Sequence, residues 1–495
     1  MKRVPWYRRP TVRRLRREAE GDADREFTRK WDERENNETR LPDSETIHLG
    51  GVVLAEAFTP STVSALYRSL ERWPAARGDR KQERLEQLAR SRSGEGGGWQ
   101  SLGVVRPPGA FLMMGGHHDQ DLPSGVDAVW LHVSYVTPAL AMVVATFTLT
   151  EEAGDLSGLL RDDYRTKHFD VWIRVYGRLG GLRARIPWSR PRRHASGHRI
   201  GSPEHQKAEA CRRLMRQHED ACGLWFATKF PGRFAAAAPG RRPVIRMLFT
   251  TEHVPYAGRP AWLQPVGLDS ALPLWRSTEP EGWWLSEDRW SGERDGRRIL
   301  TLSAKRADAA EPPGGGESGE SNWYLTQRFG TDQAPLAARH AMTALLSLYA
   351  DRLGALRDNA GIRRRLRRPV REARALDNYL IRDGLDAATV TSDLAVFTDD
   401  LSRFRRGVPE FTEHREGLPD PPHGYKLVDY VPALCAAIRR QSARLATDTT
   451  ATTSNIRASA ELRQSITNTR LQRLIVLLSV AATIIAVVSL LGGGH

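Results

Sequence analysis

The feature that most constrains this chain is an uncharged, apolar run near its C-terminal end. Residues 474–491 read LIVLLSVAATIIAVVSLL, and only Ser479, Thr483 and Ser489 interrupt the run with polar groups. As a helix rising 1.5 Å per residue, the run would extend roughly 27 Å, close to the bilayer's hydrocarbon thickness of about 30 Å. The run therefore predicts a single transmembrane helix, with span positions at Leu474, Leu478, Ala482, Ile485 and Leu491.

The charges beside this run predict its orientation. Arg463, Arg470 and Arg473 precede it, and residues 492–495 after it contain no Lys or Arg. Because basic residues are retained on the cytoplasmic side, we expect a single-pass cell-membrane protein with its N-terminus in the cytoplasm. Residues 492–495 would be a short extracytoplasmic tail. A buried core helix is the alternative interpretation of the run.

The overall charge is informative only where basic residues cluster. A formal charge of +15 and a pI near 10.1 are typical of proteins that bind polyanions. Only eight residues are Lys, and the excess of Arg is one that a GC-rich genome can produce without a selected partner. Three cysteines are too few for a disulfide framework and fit a reducing compartment.

Two segments concentrate the basic residues. Residues 2–17 carry eight Lys or Arg with Trp6 and Tyr7 interleaved, and residues 363–371 carry six Arg. Since each basic residue near an anionic bilayer contributes about 1 kcal/mol, both clusters predict contact with anionic lipid. The expected contact residues are Arg8, Arg9, Arg13, Arg14, Arg364, Arg365 and Arg368.

Three other interpretations of these clusters stay open. The basic residues can be a solvated surface, or the acidic residues between Glu18 and Glu38 can neutralise the N-terminal arm within the chain. The third interpretation is that the clusters bind nucleic acid, and it is the least favoured.

A long helix, termed the stalk, is predicted for residues 426–473. Positions at alternating spacings of four and three residues from Leu427 to Arg473 form a sustained heptad pattern. The pattern is apolar at both ends and polar between Asp448 and Ser459. Two interpretations stay open: a coiled coil that makes a homo-oligomer, and a helix lying on the chain's own helical module.

The remaining chain divides by composition and periodicity. Strand patterns occur as neighbouring pairs, such as Val129–Tyr135 and Val143–Leu149, which favours an α+β arrangement over a doubly wound parallel sheet. The expected fold class is an α+β cytoplasmic module, an all-helical module, a long stalk helix and a single C-terminal transmembrane helix. The segments before the stalk are a flexible arm at 1–46, an α+β domain at 47–309, a linker at 310–321 and a helical domain at 322–420.

No common catalytic or phosphate-binding motif is complete in this sequence. The patterns GxxxxGK[ST], HExxH and GxSxG do not occur, so neither a catalytic residue nor a cofactor is predicted. A weak metal-ligand pattern is present, although a solvated polar loop explains it better. Its residues are His117, His118, Asp119 and Asp121.

Two further patterns have both a functional and a structural interpretation. Cys222 follows His218 by one helical turn, as in a thiol activated by an imidazole, but a small buried hydrophobe explains it better. Five of the fourteen Trp lie between Trp262 and Trp290. They form either a recognition surface or part of a core.

Together these features predict a membrane-tethered, non-enzymatic adaptor or sensor that binds an unknown protein partner. The alternatives are a homo-oligomeric membrane effector or pore, and a membrane-associated enzyme of unrecognised type.

Overall fold

The computed structural model describes most of the chain. Its backbone is described for residues 26–74, 81–93, 98–111, 116–175, 192–237, 241–269, 273–279, 281–287, 297–310, 321–363, 379, 383–415 and 427–492. Side chains within these ranges are not described at 81, 84, 168–200, 328–332, 359–363, 455–470, 473 and 481–492.

A ten-stranded mixed sheet forms the centre of the molecule. In order across the sheet, its strands are β12 (Glu410–Glu413), β9 (Leu274–Glu279), β10 (Trp283–Glu287), β11 (Ile299–Lys305), β8 (Val244–Thr250), β1 (Ile47–Phe58), β5 (Leu140–Leu149), β4 (Val126–Thr137), β2 (Gln100–Arg106) and β3 (His117–His118). Strands β8 and β11 pair in parallel, as do β2 and β3, and the other neighbours pair antiparallel.

Helices cover both faces of this sheet. In chain order they are α1 (residues 26–38), α2 (Val63–Arg72), α3 (Lys81–Ser93), α4 (Glu151–Gly154), α5 (Ser157–Arg161), α6 (Pro203–Lys229), α7 (Arg306–Ala309), α8 (Asn322–Arg363), α9 (Leu385–Asp399), α10 (Leu401–Arg405) and α11 (Tyr430–Gly492). One core lies between the sheet and α2 and α6. The other lies between the opposite face and α8, α9 and α11.

The predicted fold class is wrong in how it separates sheet from helices. The apolar stripe of α8, which includes Met342 and Tyr349, is buried in the core that contains the strands. Strand β12, from the stretch predicted to be all-helical, is an edge of the sheet. Helical periodicity shows that a face is buried but not against which element, so it could not distinguish a separate module from a layer on the sheet.

Helix α11 begins on the body of the protein. Its residues Val431, Ile438 and Leu445 are buried in the core shared with α8 and α9. In this first part of the predicted stalk, the helix therefore lies on the chain's own helices, and association between copies of the chain stays a prediction. The side chains of Arg463, Arg470 and Arg473 lie outside the described residues.

The prediction of a transmembrane helix at 474–491 is wrong for the part of the chain that the structure describes. Among those residues, no helix is both long enough and apolar enough to cross a bilayer. Leu474 and Leu478 are exposed, but the described stretch from Leu474 to Val480 rises only about 10 Å, a third of the hydrocarbon thickness. The side chains of Ala482, Ile485 and Leu491 lie outside the described residues.

A close approach between α8 and the centre of β1 joins the helical layer to the sheet. A Cβ atom built on Gly51 would lie 2.8 Å from Cγ2 of Thr326 in α8 and 2.8 Å from the carbonyl oxygen of Phe147. One on Gly50 would lie 2.9 Å from Oδ1 of Asn322. Two consecutive glycines therefore let the first turns of α8 pack directly on the strand.

Replacing Gly51 with alanine should destabilise the protein by about 1–3 kcal/mol, because the new methyl group overpacks this contact. The measurement is urea unfolding followed by circular dichroism. Gly158→Ala is the control, since nothing lies within 4 Å of a Cβ at that position. Equal stabilities for the two variants would contradict the close approach.

Two buried histidines make stability depend on pH. Burial lowers the pKa of His132 and that of His340 from 6.5 to about 4. The Nδ1 atom of His132 has no hydrogen-bond partner among the described residues, and Nε2 of His340 lies 3.3 Å from the carbonyl oxygen of Arg298. Both rings are thus neutral in the folded protein near pH 6.

The unfolded chain binds protons on these rings below pH 6.5 while the folded protein does not, so stability should fall as pH decreases from 6.5 to 4. Each ring accounts for about 3 kcal/mol across that window. Urea unfolding at several pH values should show a shallower dependence for His132→Asn with His340→Gln. An unchanged dependence in the double variant would contradict this assignment.

Candidate partner-binding site

The predicted lipid-contact residues cannot be placed. Arg8, Arg9, Arg13 and Arg14 precede the described residues, and Arg364, Arg365 and Arg368 lie in a gap between described ranges. Lipid contact by these clusters stays a prediction.

The weak metal-ligand pattern is used for packing and ion pairs. The ring of His117 packs edge-on against Trp73, with centroids 5.0 Å apart, and Nδ1 of His118 lies 2.9 Å from the carbonyl oxygen of Pro107. Asp119 accepts from Nζ of Lys229 at 2.8 Å. Asp121 is exposed and lies 3.6 Å from the same Nζ. In the described part of the chain, no three His, Cys, Asp or Glu residues are grouped as metal ligands would be.

The cysteines and tryptophans are mostly core residues. Cys211 and Cys222 are buried, and burial raises the pKa of both thiols, that of Cys211 to about 12. Trp275, Trp283 and Trp284 are also buried. The structural interpretation of these residues is therefore the better one, with Trp290 outside the described residues.

A two-stranded ribbon stands apart from the main sheet. Strand β6 (Lys167–Val175) pairs antiparallel with β7 (Arg192–Gly201), and the two form a sheet of their own. Residues 167–201 contain nine Lys or Arg and one Asp, a formal charge of +8. This segment was missed from the sequence, although its density of arginine is visible there.

Helix α1 is fastened to the root of this ribbon. Asp32 accepts hydrogen bonds from the backbone N–H and the hydroxyl of Thr166, at 3.0 and 2.5 Å. Nδ2 of Asn36 donates to the carbonyl oxygen of Tyr164 at 2.7 Å, and Oδ1 of Asn36 accepts from the backbone N–H of Tyr164 at 3.0 Å. We call these four hydrogen bonds the root clamp. They hold the residues directly before β6 against α1.

Helix α6 holds both strand ends of the ribbon. Ser202 caps α6 by accepting from the N–H of His205 at 3.4 Å, so the helix begins directly after β7 ends. Nε2 of Gln206 donates to the carbonyl oxygens of Gly201, at 3.1 Å, and of Arg165. One side chain thus bridges the residue at the end of β7 and a residue just before β6.

A buried lysine ties α1 to the body. Nζ of Lys207 donates to the carbonyl oxygens of Asn36 and Leu160, at 3.3 and 3.1 Å. Burial lowers the pKa of this ammonium, and the carboxylate of Asp163 opposes that effect. Lys207 therefore acts as an anchor, and its charge is not available to a partner.

A groove of about 1080 Å³ runs between α1 and the residues that precede β6. Phe27 is 68% exposed and stacks on Trp31, which is 46% exposed, with ring centroids 6.4 Å apart. The lining residues, which we call the root groove, are Phe27, Thr28, Arg29, Asp32, Glu33, Asn36, Asn37, Asp163, Tyr164, Arg165 and Thr166.

The root clamp should protect two specific backbone amides from hydrogen exchange. In Asp32→Ala with Asn36→Ala, the N–H groups of Tyr164 and Thr166 lose their acceptors, so their exchange should accelerate at least about tenfold. Hydrogen exchange measured by NMR tests this. Glu33→Ala is the control on the same helix, because Glu33 forms an exposed pair with Arg29, and acceleration of equal size there would contradict the clamp.

Comparisons with known proteins give no relative for this fold or site. No protein-family model, no curated protein and no solved structure matches the chain.

Proposed function

We propose that this protein binds double-stranded nucleic acid through the basic ribbon, residues 167–201, and the basic N-terminal arm, residues 2–17. The root clamp is the observation that carries the proposal. It holds helix α1, which follows the arm in the chain, against Thr166, which directly precedes the ribbon. The two basic segments are therefore connected in sequence to elements that contact each other.

Electrostatics favour a polyanion as the partner. Residues 2–17 carry eight basic residues, and residues 167–201 have a formal charge of +8. Each phosphate that Lys or Arg neutralises releases counterions, which drives binding at low salt. The two segments together supply enough charge for a contact with many phosphates.

The shape of the ribbon favours duplex nucleic acid over a lipid surface. The B-DNA major groove is about 12 Å wide and admits a two-stranded β-ribbon. Arg192 pairs opposite Val175 and Arg193 opposite Arg174, and neighbouring residues of a strand point to opposite faces. Basic positions thus occur on both faces of the ribbon. That arrangement suits a groove with phosphates on two sides better than a flat bilayer.

Removing basic residues from the ribbon should weaken duplex binding and reduce its salt dependence. We expect Arg192→Gln with Arg193→Gln to reduce the slope of log K against log salt concentration by about 2, since each lost phosphate contact removes about 0.9. Fluorescence anisotropy with a labelled 20-base-pair DNA, at several salt concentrations, measures this. Deletion of residues 2–17 should also reduce the slope.

The matched control is Arg213→Gln with Arg444→Gln, which removes two exposed charges on α6 and α11. Its salt dependence should equal that of the unmodified chain. Equal losses in the two double variants would overturn the proposal, because binding would then follow total charge alone. Binding to anionic vesicles without binding to DNA would identify lipid as the partner and overturn it as well.

A further inference from the structure

We propose that the N-terminal arm, Lys2 to Arg17, is also an internal ligand of the root groove. Occupation of the groove by the arm would withdraw its basic residues from a nucleic-acid partner. The support for the intramolecular contact comes from the groove itself, and only the regulatory effect of that contact rests on the proposed function. The contact is an autoinhibitory one, built from two exposed carboxylates of the groove, Glu33 and Asp163, and the basic residues of the arm.

The groove contains exposed carboxylates, which form weak ion pairs with exposed arginine side chains. Glu33 pairs with Arg29 at 3.1 Å, and Asp163 lies 3.7 Å from Arg40. The side chains of Glu33 and Asp163 are 59% and 73% exposed. Exposed pairs of this kind contribute little net stability, so either carboxylate can exchange its arginine for one from the arm at little cost.

The aromatic groups of groove and arm are also complementary. Phe27 lines the groove and stacks on Trp31, which lies one turn further along α1 outside the lining, and both rings are exposed. The arm carries Trp6 and Tyr7 between its basic residues. Arginine stacks favourably on an aromatic face, and aromatic rings attract one another, so aromatic contacts would add to the ion pairs.

The connection between arm and groove has sufficient length. Residues 18–25 separate the arm from α1, and eight extended residues can span up to about 26 Å. The groove-lining part of α1, from Phe27 to Asn37, rises only about 15 Å. The arm can therefore turn back along α1, and a short tether gives it an effective concentration near the millimolar range.

Binding of the arm to the groove competes with its binding to phosphates. A guanidinium group that pairs with Glu33 or Asp163 cannot pair with a phosphate at the same time. A partner therefore gains the full charge of the arm only by displacing it from the groove. Removing the carboxylates of the groove should therefore strengthen binding of the partner. This effect is opposite in sign to that of the ribbon variants.

A peptide experiment tests the contact without nucleic acid. A labelled peptide of residues 1–20 is titrated, at low salt, with the chain that lacks residues 2–17, and anisotropy is recorded. We expect saturable binding that Glu33→Lys with Asp163→Lys weakens at least tenfold. The matched control, Glu26→Lys with Glu38→Lys, makes the same charge change on α1 outside the groove lining and should change binding less than threefold.

Failure of the peptide to bind, or equal loss in the two variants, would overturn the inference. The full-length chain then gives the second readout. In it, the groove variant should bind the 20-base-pair DNA about tenfold more tightly than the control variant. Peptide binding with no DNA binding by any variant would refute the proposed function and leave the internal contact established. DNA binding that the groove variant leaves unchanged would refute the autoinhibitory effect.

Discussion

The burial of strand β1 on both faces at once is the constraint on which the rest of the structure depends. Between Ile47 and Phe58 only His48 is not fully buried, so each face of the strand needs its own layer of helices. Its Glu56 is buried as well, and a buried carboxylate must be fully hydrogen-bonded to be tolerated. It accepts from Nη2 of Arg242 at 2.8 Å and from the N–H groups of Phe234 and Ala235 at 2.6 and 3.0 Å. These hydrogen bonds fix the chain after α6 to the end of β1.

A second buried carboxylate with hydrogen-bonded partners fixes α6 on its face of the sheet. Glu219 of α6 is buried and pairs with Arg246 of β8, at 2.5 Å, and with Arg297, at 2.6 Å. Such a network contributes little net stability compared with apolar packing, but breaking it would leave a charge buried without a partner. It therefore determines where α6 lies. Because α6 begins directly after β7, its position also determines where the ribbon leaves the body.

Sequence reasoning succeeded where a local pattern decides the structure. The strand patterns at Val129–Tyr135 and Val143–Leu149 lie within β4 and β5, since alternation of apolar residues is decided within a few positions. The core features that were missed depend on residues far apart in the chain. Glu56 and Arg242 are 186 positions apart, and no periodicity relates them. The candidate site was missed for the same reason, since Asp32 meets Thr166 across 134 positions and Asn36 meets Tyr164 across 128. The terminal apolar run misled because its length, composition and flanking charges are all local properties, and none of them reports what surrounds the run in the folded protein.

The chemistry of the root clamp explains how the start of the ribbon is held in a defined position. Asp and Asn have two side-chain torsions, so holding them in place costs less conformational entropy than holding the Lys and Arg of surface ion pairs. Each of them bonds to backbone groups of the segment before β6, which fixes the direction of the strand as well as its position. A ribbon oriented before binding loses less entropy when it contacts a rigid partner. Both the ribbon and the arm would contact a partner through long Lys and Arg side chains, so the cost of ordering those side chains is common to the two. The clamp therefore favours the ribbon through its backbone, whose attachment to α1 is made before any partner binds.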